Sequence, residues 1–288
     1  MQLHQPNNKA SHQNEDDLVE QQQQQQQQQE VQVQQQPDHI LKRLYRVKTE
    51  HPNHVLFRWL DKNGKETRTI SSKQLWEKSQ AVASALKKKN IHKGDRVMIV
   101  YPVGLDFLRG VFGCMLVGAV PCIVNPPNPQ KKTEMEDFKQ VVLDANARHG
   151  LTTFKQMMEI RSPQSNTTAK LLEWIATDDM HTNKDGSDTM EEIDLLDIAY
   201  VQYFISTTSG STLFLKGSVN ISHKTLNTNV KQSPAMSKLT SRKRSTFISF
   251  SWMPQYRTSQ KTATTTTTTT TFAFIMYHLY RLVLTLCR

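Results

Sequence analysis

Cysteine is scarce in this chain. Three residues, Cys114, Cys122 and Cys287, stand among 288, too few and too badly spaced for a disulfide framework or a four-ligand zinc site. A reducing compartment fits that inventory. Acidic residues stop at Asp197 and glycine stops at Gly217. Since Asp, Glu and Gly make up about a fifth of ordinary sequence, their shared absence makes the remainder unlike a typical folded domain. The opening residues, MQLHQPNNKASHQNEDD, have no apolar core and no small-residue cleavage signal. They do not read as a secretory leader, and a cytoplasmic location is the expectation. Long apolar runs are also missing. Residues 272–288 are apolar but short, with His278 and Arg281 inside them, so no membrane span is expected.

What is present is enough for a core. With 37% hydrophobic and 22% charged residues the chain is neither fully disordered, collagen-like nor a multi-span membrane protein. Its length suits one large or two modest domains. The formal charge of +10 invites a nucleic-acid reading, but the distribution argues otherwise. Eleven basic residues and no acid follow Asp197, which leaves residues 1–197 with a net charge of −1. Lys238, Arg242, Lys243 and Arg244 could attract RNA or anionic lipid through salt-sensitive contacts. Few aromatics are interleaved with them, so no specific nucleic-acid partner is expected.

Residues 1–37 form a polar leader with nine consecutive glutamines at 21–29. This polyglutamine tract offers no apolar face, so the leader is expected to be disordered or transiently helical, with Pro37 closing it. From Asp38 the pattern becomes globular. Ile40, Leu41, Leu44, Tyr45 and Lys48 recur at helical spacing, with Asp38 as N-cap and Pro52 beyond the end. Residues 55–60 and 67–70 read as strands about a turn at Asn63 and Gly64. Ser72 is the predicted N-cap of a helix whose Leu75, Trp76, Val82, Ala83 and Leu86 form a buried stripe. Its closing Lys87, Lys88 and Lys89 offset the helix dipole, which reads as a solvated helix end rather than a binding patch.

An aliphatic strand at 97–100, a helix at 105–116 and a second aliphatic strand at 119–124 then make a βαβ unit, and with it a parallel α/β sheet. Gly110, Gly113 and Gly118 lie within and after the helix rather than between strand and helix. They are therefore read as close-packing residues and not as a dinucleotide fingerprint. Cys114 and Cys122 are expected to be small buried residues. Residues 125–129 form a rigid Pro-rich turn, and Phe138, Val141, Val142 and Ala145 mark another helix. Residues 161–190 read as a weak stretch or inserted loop, apart from an apolar cluster at 171–175.

One segment carries chemistry. A strand at 198–205 runs into Thr207, Thr208, Ser209, Gly210, Ser211 and Thr212, followed by Lys216, Gly217 and an alternating strand at 218–221. A Gly and hydroxyl turn can aim successive backbone N–H groups inward as an anion nest, and a lysine adds a point charge, which suits a polyphosphate. Taken alone, the segment reads first as an ordinary polar turn, because its neighbourhood is rich in Ser and Thr, and second as a phosphate loop. It lacks the GxxxxGK[ST] spacing, and without a GxSxG frame Ser209 has no claim to be a nucleophile. Ser222 reads as the cap of a helix through Leu226 and Val230, with His223 a structural first-turn residue rather than a catalytic base.

Read in order, residues 208–212 (TSGST), Lys216, Gly217, Ser222 and His223 resemble the phosphate-binding signature of the adenylate-forming superfamily, the acyl-CoA synthetases and acyl-AMP ligases. Earlier blocks are similar too: TISSKQL at 69–75, IHKGDRV at 91–97, GAVP at 118–121 and VNPP at 124–127. FSWMPQY at 250–256 resembles the fatty-acyl-AMP ligase branch. The resemblance implies the N-terminal portion of a ligase domain, with parallel sheets layered with helices. It spans about residues 38–256, between the leader and a basic, low-complexity Thr-rich and apolar tail at 257–288 outside the fold.

The activity so implied is ATP-dependent formation of an acyl-adenylate from a small-molecule carboxylic, expectedly fatty, acid, with a thiol acceptor in many relatives. Thr208, Ser209, Gly210, Ser211, Thr212, Lys216 and Gly217 would hold the phosphates, and Thr212 would help bind Mg²⁺. This sequence also departs from the pattern. Leu213 replaces glycine or serine, Leu215 replaces proline, and extra residues separate Tyr203 from Thr208. Arg257 and Thr258 stand where the family has His-Asp. The adenine, ribose and catalytic-lysine blocks have no counterpart, so the expectation is an incomplete ligase. The alternative is a non-catalytic fragment or binding protein with a degenerate phosphate loop.

Overall fold

Alternation along two four-residue strands explains the architecture. In β3 (Arg96–Ile99), Val97 and Ile99 join one apolar cluster, whereas Met98 and the following Val100 join another. In β4 (Val120–Ile123), Ile123 belongs to the first cluster and Val120 and Cys122 to the second. Because successive side chains point to opposite faces of a sheet, both faces of these strands are buried. Helices must then cover the sheet on either side.

The structure is a computed structural model. It describes residues 39–232 except 62, 64, 103, 162–169, 181–187, 189 and 207–213, together with 247 and 248. Residues 60, 204–206, 214–216, 229–232, 247 and 248 are described by their backbone. In chain order come α1 (Ile40–Glu50), β1 (Val55–Leu60), β2 (Glu66–Ser71), α2 (Ser72–Lys88), β3, α3 (Asp106–Leu116), β4, α4 (Lys132–Ala145), β5 (His149–Thr152), α5 (Phe154–Ile160), β6 (Glu173–Ala176), β7 (Ile198–Ser206), β8 (Phe214–Ser222), α6 (His223–Gln232) and β9 (Phe247–Ile248).

The main sheet runs β6-β5-β3-β4-β7-β8. Its first five strands are parallel, and β8 returns antiparallel to β7. A smaller sheet, β2-β1-β9, contains the antiparallel β1–β2 pair. The parallel α/β expectation therefore holds for the centre of the main sheet and gives way at its edge and in the hairpin. The β1–β2 turn is fastened by Asp61, whose Oδ1 accepts from the backbone N–H groups of Asn63 and Lys65, both at 2.9 Å.

Two predicted caps sit one residue away. The N-cap of α1 is His39, extended and with no side-chain cap hydrogen bond; Asp38 lies outside the described residues. The N-cap of α2 is Ser71, in a capping box with Gln74. Ser72 is already helical, and its hydroxyl donates instead to the His51 carbonyl at 2.6 Å. The stripe Leu75, Trp76, Val82, Ala83 and Leu86 is buried as expected. The helix closes in a Schellman turn: Asn90 takes φ 55, and Ile91 N–H reaches back to the Leu86 carbonyl at 3.1 Å. Lys87, Lys88 and Lys89 are exposed, and Lys89 is ion-paired with Glu173.

The glycines of α3 divide into two uses. At Gly113 an added Cβ would lie 2.5 Å from Val82 Cγ1 and 3.1 Å from the Ser79 carbonyl, so its absence lets α2 and α3 touch. Gly110 leaves room for the Tyr101 ring. Gly118, just past the helix, is close-packed too, an added Cβ lying 2.9 Å from Lys93 Cγ and 3.3 Å from Lys93 Cα, and it has a second use. With φ 69 it follows the helix end, its N–H donating to the Met115 carbonyl and that of Ala119 to Cys114 at 3.0 Å, a second Schellman turn.

Within residues 161–190 the excepted apolar cluster leads into β6, which forms one edge of the main sheet. Cys114 and Cys122 are free and buried. Burial pushes the Cys122 thiol up to about 12, so neither behaves as a reactive thiol. No helix among the described residues is long and apolar enough to cross a membrane.

Candidate functional site

The connections that leave β3 and β4 set where a ligand can enter. After β3 the chain passes through α3, which packs on the cluster containing Val97, Ile99 and Ile123. After β4 it passes through α4, whose Phe138, Val141 and Val142 pack on the opposite face with Met98 and Cys122. The connections of these neighbouring strands depart to opposite faces, and open α/β sheets bind ligands outside the carboxyl ends of their strands at such switch points. The residues that follow β4 at this end are Asn125-Pro126-Pro127, in which Asn125 is exposed and Pro127 buried. Two consecutive prolines preclude a helical start there, which holds the chain extended until α4 begins at Lys132.

The strand beside β4 carries the hydroxyl-rich segment. Parallel pairing of β4 with β7 ends at Ile123 opposite Gln202, but β7 continues to Ser206, paired with β8 alone. Four more residues at about 3.3 Å each carry Ser206 roughly 13 Å past the last β4–β7 pair. On the return strand, Gly217 pairs with Phe204 and Leu215 with Ile205, so Lys216 is the extra residue of a β-bulge. Gly217 takes φ 138, a backbone conformation that L side chains rarely adopt and that a bulge often requires. The Lys216–Gly217 pair is thus a local break in the hairpin, and such breaks re-aim a side chain near functional sites. Thr208, Ser209, Gly210, Ser211 and Thr212, the core of the predicted phosphate loop, lie outside the described residues, together with Thr207 and Leu213.

One polar residue at this edge was missed by the sequence reading. Gln202 is buried where the β4–β7 pairing ends. Its amide donates to the carbonyls of Tyr203 (3.3 Å) and Ile123 (3.5 Å), while Oε1 accepts no hydrogen bond. A lone glutamine in the apolar run IAYVQYFI was the available signal. The next residue, Tyr203, anchors β7 to α4 by donating its hydroxyl to Asp144 Oδ2 at 2.8 Å. Burial, and this hydrogen bond to a carboxylate, push the Tyr203 phenol upward.

Farther along the same edge, Tyr101 and Thr177 share a buried hydroxyl contact of 2.7 Å. Arg109 is buried against Asp106 and donates to the Asp178 carbonyl at 3.3 Å. Burial opposes ionisation of Asp106, but hydrogen bonding from Arg68 and the charges of Arg109 and Arg68 outweigh it, and its carboxyl is held below the ordinary value. That cluster ties β2 to α3. Among the described residues no group of three or more His, Cys, Asp or Glu is placed to hold a metal ion. His223, the first residue of α6, is buried, and Ser222 caps the helix by accepting from the Thr225 N–H at 3.1 Å. Both match the structural roles expected for them.

With this geometry in hand, comparison with known proteins is decisive. The sequence profile described as "AMP-binding enzyme" matches residues 44–284. The chain belongs to the AMP-binding enzyme family. The matched span runs beyond residue 256, where the block-by-block resemblance ends, and includes the threonine run and most of the apolar tail.

Among curated members of wider reach, the medium-chain-fatty-acid–[acyl-carrier-protein] ligase JamA of Moorena producens is 32% identical over 173 residues, covering 59% of this chain and 28% of JamA. Disco-interacting protein 2 homolog A of Homo sapiens is 33% identical over 163 residues, covering 54% of this chain and 10% of that protein. The fatty acyl-adenylate ligase from L. pneumophila, solved with acyl adenylate and pyrophosphate, superposes with a TM-score of 0.58 at 22% identity. That superposition covers 68% of this chain and 32% of the ligase, and it is a likeness of fold. The chain thus spans about a quarter of JamA and about a tenth of the human relative.

Proposed function

We propose that this chain carries the phosphate-binding portion of an acyl-adenylate-forming ligase that activates a carboxylic, specifically fatty, acid with ATP. The observation that carries the reading is the overhang of β7 past its last pair with β4, together with the Lys216–Gly217 bulge in β8, the two strands that flank the TSGST segment in sequence. In this reaction a substrate carboxylate oxygen attacks the α-phosphorus, a P–O bond to the β-phosphate breaks, and pyrophosphate leaves with the electron pair. Thr208, Ser209, Ser211 and Thr212 supply hydroxyl or backbone donors to the β- and γ-phosphates, and Gly210 permits close approach. Lys216 supplies charge where negative charge accumulates on the leaving group. The bulge and the positive φ of Gly217 support a role for backbone conformation here.

Magnesium would add positive charge at the same phosphates, with Thr212 as one oxygen ligand and phosphates and water in the rest of its shell. The identity of JamA as a fatty-acid ligase supports the fatty acyl class, and a thiol acceptor belongs to the same reading.

Titration of the full chain with ATP and with AMP tests the proposal. Lys216→Ala is expected to weaken ATP binding about tenfold, the loss of one charge-assisted contact, and to leave AMP binding unchanged because Lys216 serves the outer phosphates. Equal loss for both nucleotides, or no ATP binding by the parent chain, would remove the reading. ATP binding without acid-dependent pyrophosphate exchange would favour the second reading, a non-catalytic nucleotide-binding protein.

A further inference from the structure

Two histidines distant in sequence meet at the starts of two helices. His39 is the N-cap of α1 and His223 opens α6. Their ring centroids lie 5.9 Å apart with planes at 66°, an edge-on contact. They are 5% and 3% exposed, and Nδ1 of each ring has no hydrogen-bond partner. Both rings are therefore buried in mutual contact, each at the positive end of a helix dipole.

The charged groups around the pair are mostly of one sign. Lys42 faces His39 from α1. Lys93, from the turn before β3, and Asp197, from the loop before β7, face His223. The Asp197 carbonyl accepts the His223 N–H at 3.0 Å, and its carboxylate is engaged by Lys93 at 2.8 Å. A proton on His39 would be buried near Lys42 and a second imidazole, and one on His223 near Lys93 and His39, each at a helix start, with the carboxylate of Asp197 already paired.

We infer that the His39–His223 contact is a proton-operated latch: neutral rings hold the first turn of α1 against α6, and protonation of either ring releases it. Because α6 follows β8 without an intervening residue, the latch also joins α1 to the hairpin that bears Lys216. The electrostatics agree in direction. Burial, then Lys42, lowers His39 to about 4. Burial, then His39, lowers His223 to about 4, with Asp197 opposing.

A histidine released from the contact returns to its ordinary value of about 6.5, so the open state binds more protons between these limits. Latch stability is therefore full above pH about 6.5 and is lost as pH falls towards 4. For one ring moving from about 4 to about 6.5, the opening equilibrium rises ~20-fold between pH 7 and pH 5.

Amide hydrogen exchange on the full chain, corrected for intrinsic rates, reads this directly. Protection of residues 39–50 is expected to fall ~20-fold from pH 7 to pH 5 while that of residues 106–116 in α3 is retained. His39→Phe/His223→Phe keeps the aromatic edge contact and is expected to abolish the pH dependence. Ring titration of ¹³C-labelled histidine in the parent chain gives a readout that needs no variant, with two resonances expected to titrate well below pH 6. The latch is overturned if α1 and α3 lose protection together, if α1 protection does not change with pH, if the double variant retains the dependence, or if all rings titrate near 6.5.

Discussion

Replacing Gly113 by alanine sets two known effects against each other at a defined place. In an exposed helix interior the change would stabilise by about 1 kcal/mol, because glycine loses more backbone entropy on folding. Here the new Cβ would stand 2.5 Å from Val82 Cγ1, 2.6 Å from Val82 Cβ and 3.1 Å from the Ser79 carbonyl. Val82 is wholly buried and β-branched, with one strongly preferred rotamer in a helix, so it cannot swing aside. Relief requires α2 and α3 to separate, and overpacking of this kind costs about 1–3 kcal/mol.

The contact gaps are at the severe end, so Gly113→Ala is expected to destabilise by about 1–2 kcal/mol net. Val82→Ala alone removes two buried methyl groups and is expected to cost about 2 kcal/mol. In the double variant the contact with Cγ1 is gone, and the space left by the two methyls lets the helices readjust around the contacts that remain at Val82 Cβ (2.6 Å) and the Ser79 carbonyl (3.1 Å). The combined effect should then fall short of the sum by more than about 0.5 kcal/mol. Urea unfolding followed by far-ultraviolet circular dichroism, with midpoint and slope both fitted, measures all three. A Gly113→Ala chain as stable as the parent, or effects that add within about 0.5 kcal/mol, would refute the close helix contact.

The caps give further tests by the same assay. Ser71→Ala removes the hydroxyl that accepts from the Gln74 N–H at 3.2 Å and should cost about 1 kcal/mol, whereas Ser71→Asp should be nearly neutral; equal losses would place the cap elsewhere. Gly118→Ala, at φ 69, should destabilise by about 1–2 kcal/mol through the left-handed backbone alone. Asn90→Gly, at φ 55, should stabilise by up to about 1 kcal/mol for the converse reason; the same sign at both positions would contradict the paired Schellman turns.

Strong local patterns were readable without tertiary information. The aliphatic runs of β3 and β4, the stripe of α2 and the hydroxyl-rich string at 208–212 each stand out against their surroundings. The caps shifted by one residue because Ser71 and Ser72 are chemically alike, and which of them turns extended depends on where β2 stops pairing with β1. β5 passed unread because HGLT has one large aliphatic. Its strand character comes from β3 on one side and β6 on the other. At the candidate site the hydroxyl string was visible. The buried carbonyl of Gln202 and the bulge at Lys216 were not, because both arise from how β7 pairs with its neighbours.

For the strongly patterned segments, β3, β4, the stripe of α2 and the apolar face of α4, periodicity in 3.6 and 2 determined from sequence alone the type of element and which side chains turn inward, since those preferences act between residues a few positions apart. Strand order, the departures of α3 and α4 to opposite faces, the overhang of β7 and the meeting of His39 with His223 belong to the tertiary structure. Each depends on contacts between residues tens to hundreds of positions apart. Such contacts are selected by the joint burial of two sheet faces, and no local window of sequence encodes that.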